Sequence, residues 1–252
     1  MKKLRWILPA GISVLTIFSA TAQVNLIPKY EVGLSLGTFV YQGDLTPNAL
    51  GAFNTMKPGF GLTATRNLNR AYSLRLQLLR GRLKGDDAKY ENPAWRQQRN
   101  FNFISPVTEI SVQVVRHLFG QQSNPAGIIN FSPYVFGGVG YSFLKIKRDY
   151  SQFNYSHFAG ETGVVTGLTE DANHAPPKGI FVFPIGFGVR YGINEKLSFN
   201  LEGTYRLTST DYLDGFSEAA NPDKNDHFHT LMAGLIYSFG KRNRFDCPKV
   251  RF

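Results

Sequence analysis

Strict alternation of apolar and polar residues, repeated in segments of roughly ten, leaves this chain few folds to choose from. Between Leu197 and Leu207, the residues Leu197, Phe199, Leu201, Gly203, Tyr205 and Leu207 share one face. Ser198, Asn200, Glu202, Thr204 and Arg206 share the other. The same pattern sets Phe181, Phe183, Ile185, Phe187, Val189 and Tyr191 against Gly186, Gly188, Arg190 and Gly192. It recurs at Tyr72–Leu78, where Ser73, Arg75 and Gln77 interleave with bulky residues, and at Glu109–Val114. Tyr30–Tyr41, Gly59–Arg66, Ser132–Ile146 and His227–Gly240 complete a set of eight. A period of two is the period of a β-strand, whose successive side chains point to opposite faces. The pattern therefore predicts eight strands, each with one apolar face.

A soluble sandwich and a membrane barrel both use such strands, and the polar face separates them. A sandwich shows that face to water and fills it with Lys and Glu. Here it holds Gly, Ser, Thr, Asn and Gln, in a chain with 25 Gly and only 18% charged residues. Its few charges balance: Glu31, Glu109 and Glu202 can face Arg75, Arg190 and Arg206. A narrow lumen requires small residues and paired charges, while the other face carries the bulky groups that lipid contact demands. Closure would satisfy every backbone N–H and C=O within the membrane. The expected fold is all-β, an eight-stranded antiparallel transmembrane β-barrel of the outer-membrane type.

The ends differ from the middle. Met1–Arg5 is basic, Trp6–Phe18 is mostly apolar, and Ala20-Thr21-Ala22 is a small-x-small cleavage site. Pro9 and Gly11 interrupt the apolar run, so residues 1–22 read as a secretory signal peptide rather than a membrane helix. No Cys follows the cleavage site, which argues against a lipoprotein, and one cysteine in 252 residues excludes a disulfide framework. The net charge of +10 includes no run of five Lys or Arg, so nucleic acid is not an expected partner. The expected organisation is a signal peptide (1–22), a barrel (23–240) and a basic tail (241–252).

Connector length suggests orientation. Asn67–Arg70, Leu118–Asn130 and Ile193–Lys196 are short or medium, and they alternate with the longer polar stretches Asp44–Lys57, Lys84–Asn100, Lys147–Lys178 and Thr210–Asp226. Short turns face the periplasm and long loops the exterior in outer-membrane barrels, which puts both termini in the periplasm. The last strand offers an assembly signal in Gly234, Tyr237 and Phe239, with Met232 where a polar residue is usual.

A series of motifs then carries a resemblance. It comprises Tyr30-Glu31-Val32-Gly33, Tyr41-Gln42-Gly43-Asp44-Leu45, Gly85-Asp86-Asp87-Ala88, and Arg99-Asn100-Phe101 with Ser105 and Glu109. Pro133-Tyr134 with Phe136-Gly137-Gly138, Thr210-Asp211-Tyr212-Leu213-Asp214 and Cys247-Pro248-Lys249 follow. In order and spacing the series resembles the PorG-type outer-membrane barrels of the Bacteroidetes type IX secretion system. Gly215-Phe216 departs from it, replacing an acidic and an aliphatic residue. The resemblance implies a non-enzymatic barrel that docks a periplasmic secretion ring to the outer membrane, and no cofactor.

Several residues keep two readings. His227 and His229 project to one face and suit either a metal or an interfacial position, with no third ligand in view. Asp44, Asp86, Asp87, Asp211 and Asp214 form either an extracellular acidic rim for divalent cations or ordinary turn chemistry. Arg80, Arg82 and Lys84 would grip lipid phosphates or snorkel, and Arg96 reads as an exposed loop residue. The tail offers Lys241, Arg242, Arg244, Lys249 and Arg251 to an acidic periplasmic partner, with Phe245 and Phe252 as anchors and Cys247 as a lone thiol. Otherwise the tail is only a solvated end. A general structural barrel or narrow channel is the alternative function. An outer-leaflet lipid-modifying enzyme would need a Ser/His/acid set, which no His-x-Ser pairing supplies. Outer-membrane lipid is the one partner that the barrel itself implies, and no small-molecule substrate is indicated.

Overall fold

The computed structural model describes residues 27–120, 131–221 and 224–240; the segments expected to be a signal peptide (1–22) and a basic tail (241–252) lie outside them. Eight long strands form a closed antiparallel barrel: β1 (Tyr30–Gln42), β2 (Lys57–Asn67), β3 (Tyr72–Asp86), β4 (Asn102–His117) and β5 (Phe131–Leu144), then β7 (Gly179–Gly192), β8 (Leu197–Thr208) and β9 (His227–Phe239). Between β5 and β7, β6 (Lys147–Asp149) is a three-residue strand beside the first residues of β4. The long strands pair with their neighbours in sequence, and β1 closes the ring on β9 from Tyr30↔Phe239 to Gln42↔His227. No long strand is left with a free edge, so the barrel offers no template for strand addition.

The alternation read from the sequence becomes an inside and an outside. Along β4 every second residue from Phe103 to His117 is buried. Outward-facing Leu36, Phe181 and Phe187 remain 65%, 63% and 68% exposed, a surface that only lipid would cover. Among the described residues no helix is long and apolar enough to cross a membrane.

Inside, large and small residues face each other across paired strands. Tyr134 and Phe136 of β5 pair with Gly188 and Gly186 of β7. A Cβ on either glycine would stand 2.5 Å from the opposing ring. The glycines thus make room for two aromatics in a lumen just wide enough for side chains. Toward the long-loop end the filling turns apolar, with Phe39, Leu79, Val107, Val182, Phe228 and Met232 in one buried cluster.

The longer connections are more structured than their polarity suggested. The β3–β4 ladder continues past Lys84 to Asp86↔Asn102. A short helix α1 (Trp95–Arg99) lies between these strands, ended by Asn100 in the left-handed region (φ 52°), where Asn is among the few side chains tolerated. The connection from β5 to β7 contains β6 and a second helix, α2 (Thr162–Asn173). These pieces pack on one another over the barrel mouth. Phe101 stacks on Phe216 at 4.3 Å, Phe153 stacks on Phe158 at 5.0 Å, and Leu45, Leu168 and Leu213 complete the same buried cluster. Burial of that size is the reason long connections hold a fixed shape.

Candidate functional site

Two charged assemblies stand out: one inside the barrel, one in the loop cap. In the lumen three ion pairs rise from the short-turn end. Arg190 Nη1 lies 2.9 Å from Glu31, which also accepts from Ser238 at 3.2 Å. Next, Arg75 Nη1 lies 2.8 Å from Glu202, to which Tyr134 donates at 2.5 Å and Asn200 at 3.0 Å. Highest, Arg206 Nε lies 2.6 Å from Glu109, with Thr230 accepting from Arg206 Nη1 at 2.9 Å. All six charged residues are buried, each in a pair contributed by two different strands. Pairing of this kind offsets the desolvation that an isolated buried charge would suffer.

The lumen also holds one arrangement that resembles a nucleophile and base. Ser73 Oγ sits 3.1 Å from His117 Nε2. However, Ser73 donates its hydrogen to Asn67 Oδ1 at 2.7 Å, and His117 Nδ1 has no hydrogen-bond partner among the described residues. Ser73 is fully buried as well. The pair is a structural hydrogen bond rather than the start of a triad.

The cap gathers the acids that the sequence suggested as a rim, and it corrects that reading. Asp87 is fully buried, with Arg96 Nη1 at 2.8 Å, Arg99 Nε at 2.7 Å and Arg99 Nη2 at 3.0 Å. Arg96 is therefore no exposed loop residue, because burying Asp87 required cations beside it. Asp86 pairs instead with Lys84 at 3.1 Å. Asp214 is fully buried too, and Asp211 nearly so. The five acids do not form an exposed rim, because folding of the loops over the mouth takes most of them out of water.

Asp214 belongs to a cluster with Asp226, which the sequence left unremarked. Tyr41 Oη lies 2.7 Å from Asp214 Oδ2 and 2.7 Å from Asp226 Oδ1. A phenol has one hydrogen, so one of these short contacts needs a carboxyl that donates. Burial pushes both carboxyls well above the usual range, and the neighbouring acids Asp44 and Asp211 add to the effect. Burial also lifts Asp211 to about 7 and Asp44 to about 6, the latter moderated by the bond that its Oδ2 accepts from Asn221 N at 2.9 Å. Asp171 in α2 serves instead as a backbone clasp, accepting from the N–H groups of Ser217, Glu218 and Ala219 at 2.9–3.2 Å. Among the described residues no group of three or more His, Cys, Asp or Glu is placed to hold a metal ion.

Other suggested residues find ordinary places. His227 Nδ1 accepts from Thr208 N at 3.3 Å, and both His227 and His229 lie against the ring of Tyr205 on the outer face. Tyr237 and Phe239 point outward, 6.3 Å apart and stacked, while Gly234 faces the lumen beside Asn200. Arg80 and Arg82 are exposed on the outer face of β3 near its loop end. The tail residues Lys241, Arg242, Arg244, Phe245, Cys247, Lys249, Arg251 and Phe252 lie outside the described residues.

Beside the acid cluster, the cap opens into a cleft of about 800 Å³ lined by the β1–β2 loop, α1 and the loop before β9. The family model described as "Domain of unknown function (DUF6089)" matches residues 5–242, which includes every strand of the barrel and the whole cap. The chain belongs to the DUF6089 family. Gly215-Phe216 has a local explanation in this member. Gly215 holds φ +89°, its carbonyl accepts from Arg148 at 2.8 Å, and the turn delivers Phe216 onto Phe101.

No curated protein matches this DUF6089 chain in sequence. Its shape is similar to Neisserial surface protein A, with 12% identity, a TM-score of 0.46, and coverage of 84% of this chain and 97% of that one. OprG of Pseudomonas aeruginosa gives 12%, 0.46, 86% and 99% in the same order. The attachment invasion locus protein Ail of Yersinia pestis gives 9%, 0.44, 85% and 100%. The barrel architecture itself rests on this chain's own strand register.

Proposed function

We propose that this protein is a non-enzymatic barrel of the outer membrane, with long loops outside and both termini in the periplasm, and that it docks a periplasmic secretion complex in the manner of PorG-type components. The observation that carries the reading is the filled lumen: three cross-barrel ion pairs lie below an apolar cluster of Phe39, Leu79, Phe228 and Met232. Such an interior suits an anchor better than a conduit. The secretion role is supported by the motif series from Tyr30-Glu31-Val32-Gly33 to Cys247-Pro248-Lys249. Its contact surface would be the basic tail, attracting an acidic partner first by charge and then through Phe245 and Phe252.

Two measurements test it. Deleting the gene should deplete the secreted proteins of the parent cell, and a chain truncated after Gly240 should insert normally yet fail to restore them. Raised salt should weaken capture of the periplasmic partner by the intact protein. If the truncated barrel restores secretion in full, the tail is not the docking element. If the deletion leaves the secreted set unchanged, the protein is a general structural barrel.

A further inference from the structure

The cleft in the cap has a chemistry distinct from the lumen and the acid cluster. Trp95 is 40% exposed and lines it, with the guanidinium carbons of Arg96 and Arg99 at 5.0 and 4.9 Å from its ring. Asn48, Asn221 and Asn225 line it too, and none of their side-chain amides bonds to another described residue. The walls are fixed from behind. Asp44 O accepts from Arg96 at 2.9 Å and from Arg99 at 3.2 Å, its carboxylate accepts from Asn221 N, and Gln42 donates to Ala49 O at 2.6 Å. A concave site of about 800 Å³ is within the span of small-molecule sites and admits a short oligosaccharide.

We propose that this cleft binds a neutral oligosaccharide, stacking one sugar on Trp95 and bonding its hydroxyls to the side-chain amides of Asn48, Asn221 and Asn225. Each carboxamide presents a donor and an acceptor side by side, the pairing that adjacent hydroxyls require. An indole supplies a flat apolar plane for the C–H face of a pyranose. An anion is a poorer fit. Arg96 Nη1 and Arg99 Nε and Nη2 already donate to Asp87 and the Asp44 carbonyl, and Lys224, the other Lys or Arg among the described lining residues, is opposed by Asp44. An extended peptide would need a strand edge, and every long strand is paired on both sides. The cleft lies at the opposite end of the barrel from Tyr30 and Phe239, so the inference stands apart from periplasmic docking.

The sequence supplies its own probe, because Trp6 and Trp95 are its two tryptophans. The experiment takes the full chain with Trp6→Phe in dodecylphosphocholine, whose headgroup contains no sugar, and follows Trp95 emission. The titrants are maltohexaose, cellohexaose, chitohexaose and mannohexaose, and in a separate arm the O-polysaccharide released from the producing cell's own envelope. A saturable shift in the first arm indicates a glycan from outside; one confined to the second indicates the cell's own surface. Asn48→Ala with Asn221→Ala should weaken the active titrant about tenfold or more, as loss of two polar contacts implies. The Asn221 substitution keeps the backbone N–H that holds Asp44, so heat-modifiable mobility serves as the control for folding. Absence of a saturable shift with every titrant overturns the proposal. So does a shift that the double substitution leaves unchanged, or a larger one from a Ser-Asn-Gly hexapeptide.

Discussion

The lumen and the cap both bury acids, and they neutralise them differently. In the lumen each carboxylate meets its own guanidinium: Glu31 with Arg190, Glu202 with Arg75, Glu109 with Arg206. In the cap, among the described residues, only Asp87 does, and it takes two. Asp214 and Asp226 lie instead against Tyr41 and backbone N–H groups, where a shared proton replaces the cation. The difference follows from how each region is built. Strand partners recur at fixed spacing, so an acid on one strand meets a base on another at the same depth. The cap joins loops of unequal length, and its polar groups meet wherever the aromatic cluster brings them.

Removing one lumen cation challenges this contrast most severely. Arg206→Leu leaves buried Glu109 with only the long 3.5 Å bond from the Ser142 hydroxyl and should cost about 3–5 kcal/mol, as uncompensated buried charges do. Urea-induced unfolding in lipid vesicles reads the loss directly. An undisturbed midpoint would mean that Arg206 points elsewhere, because a slip of one residue exchanges the two faces of a strand.

Arg96→Leu should be smaller and local. Asp87 retains Arg99, so the loss is that of one charged hydrogen-bonded partner, about 1.5–3 kcal/mol. It should appear as faster proteolysis within residues 84–101 while heat-modifiable mobility of the barrel persists. If Arg96→Leu shifts barrel unfolding as much as Arg206→Leu, cap and barrel form one cooperative unit and the contrast between them fails.

The two regions were also unequally legible. Period-two alternation placed Arg75, Arg190 and Arg206 on the same face as Glu31, Glu109 and Glu202, since that placement needs only counting. Which acid meets which base depends on strand tilt and stagger, and counting along one strand does not supply it. In the cap, Arg96 read as exposed because nothing local shows that Asp87 would be buried nine residues away in sequence. A signal was present: Phe101, Phe153, Phe158 and Phe216 are more aromatic side chains than solvated loops ordinarily carry, and they are what the cap buries. Asp226 and Tyr41 were illegible as a pair, because 185 residues separate them.

Acidity offers a gentler probe of the same difference. Asp44 and Asp211 are raised by burial from 3.8 to about 6 and about 7, and Asp214 and Asp226 are raised as well. A carboxyl whose folded value lies above its unfolded one binds more protons when folded. Its contribution is therefore complete below about pH 4 and is lost as pH rises toward about 7. The cap should resist protease best at about pH 4–5 and progressively less toward pH 7–8, monitored with a protease active throughout. Asp211→Asn should flatten that slope. A cap that becomes firmer as pH rises through this window would contradict the shared-proton cluster.

Asp149 has the smallest expected effect and the opposite sign. It lies at the end of β6, where it accepts from Ser151 N at 2.9 Å, and that bond holds its carboxyl below the usual value. A lowered carboxyl contributes at neutral pH and loses its contribution as pH falls through the folded value, the reverse of the Asp44 and Asp211 behaviour. Asp149 is fully exposed, however, so water and salt screen what the bond provides. Asp149→Asn should accordingly leave both the cap's protease profile and the barrel's urea midpoint unchanged. An effect comparable with that of Asp211→Asn would show that the cap responds to charge at its surface rather than to the acids buried within it.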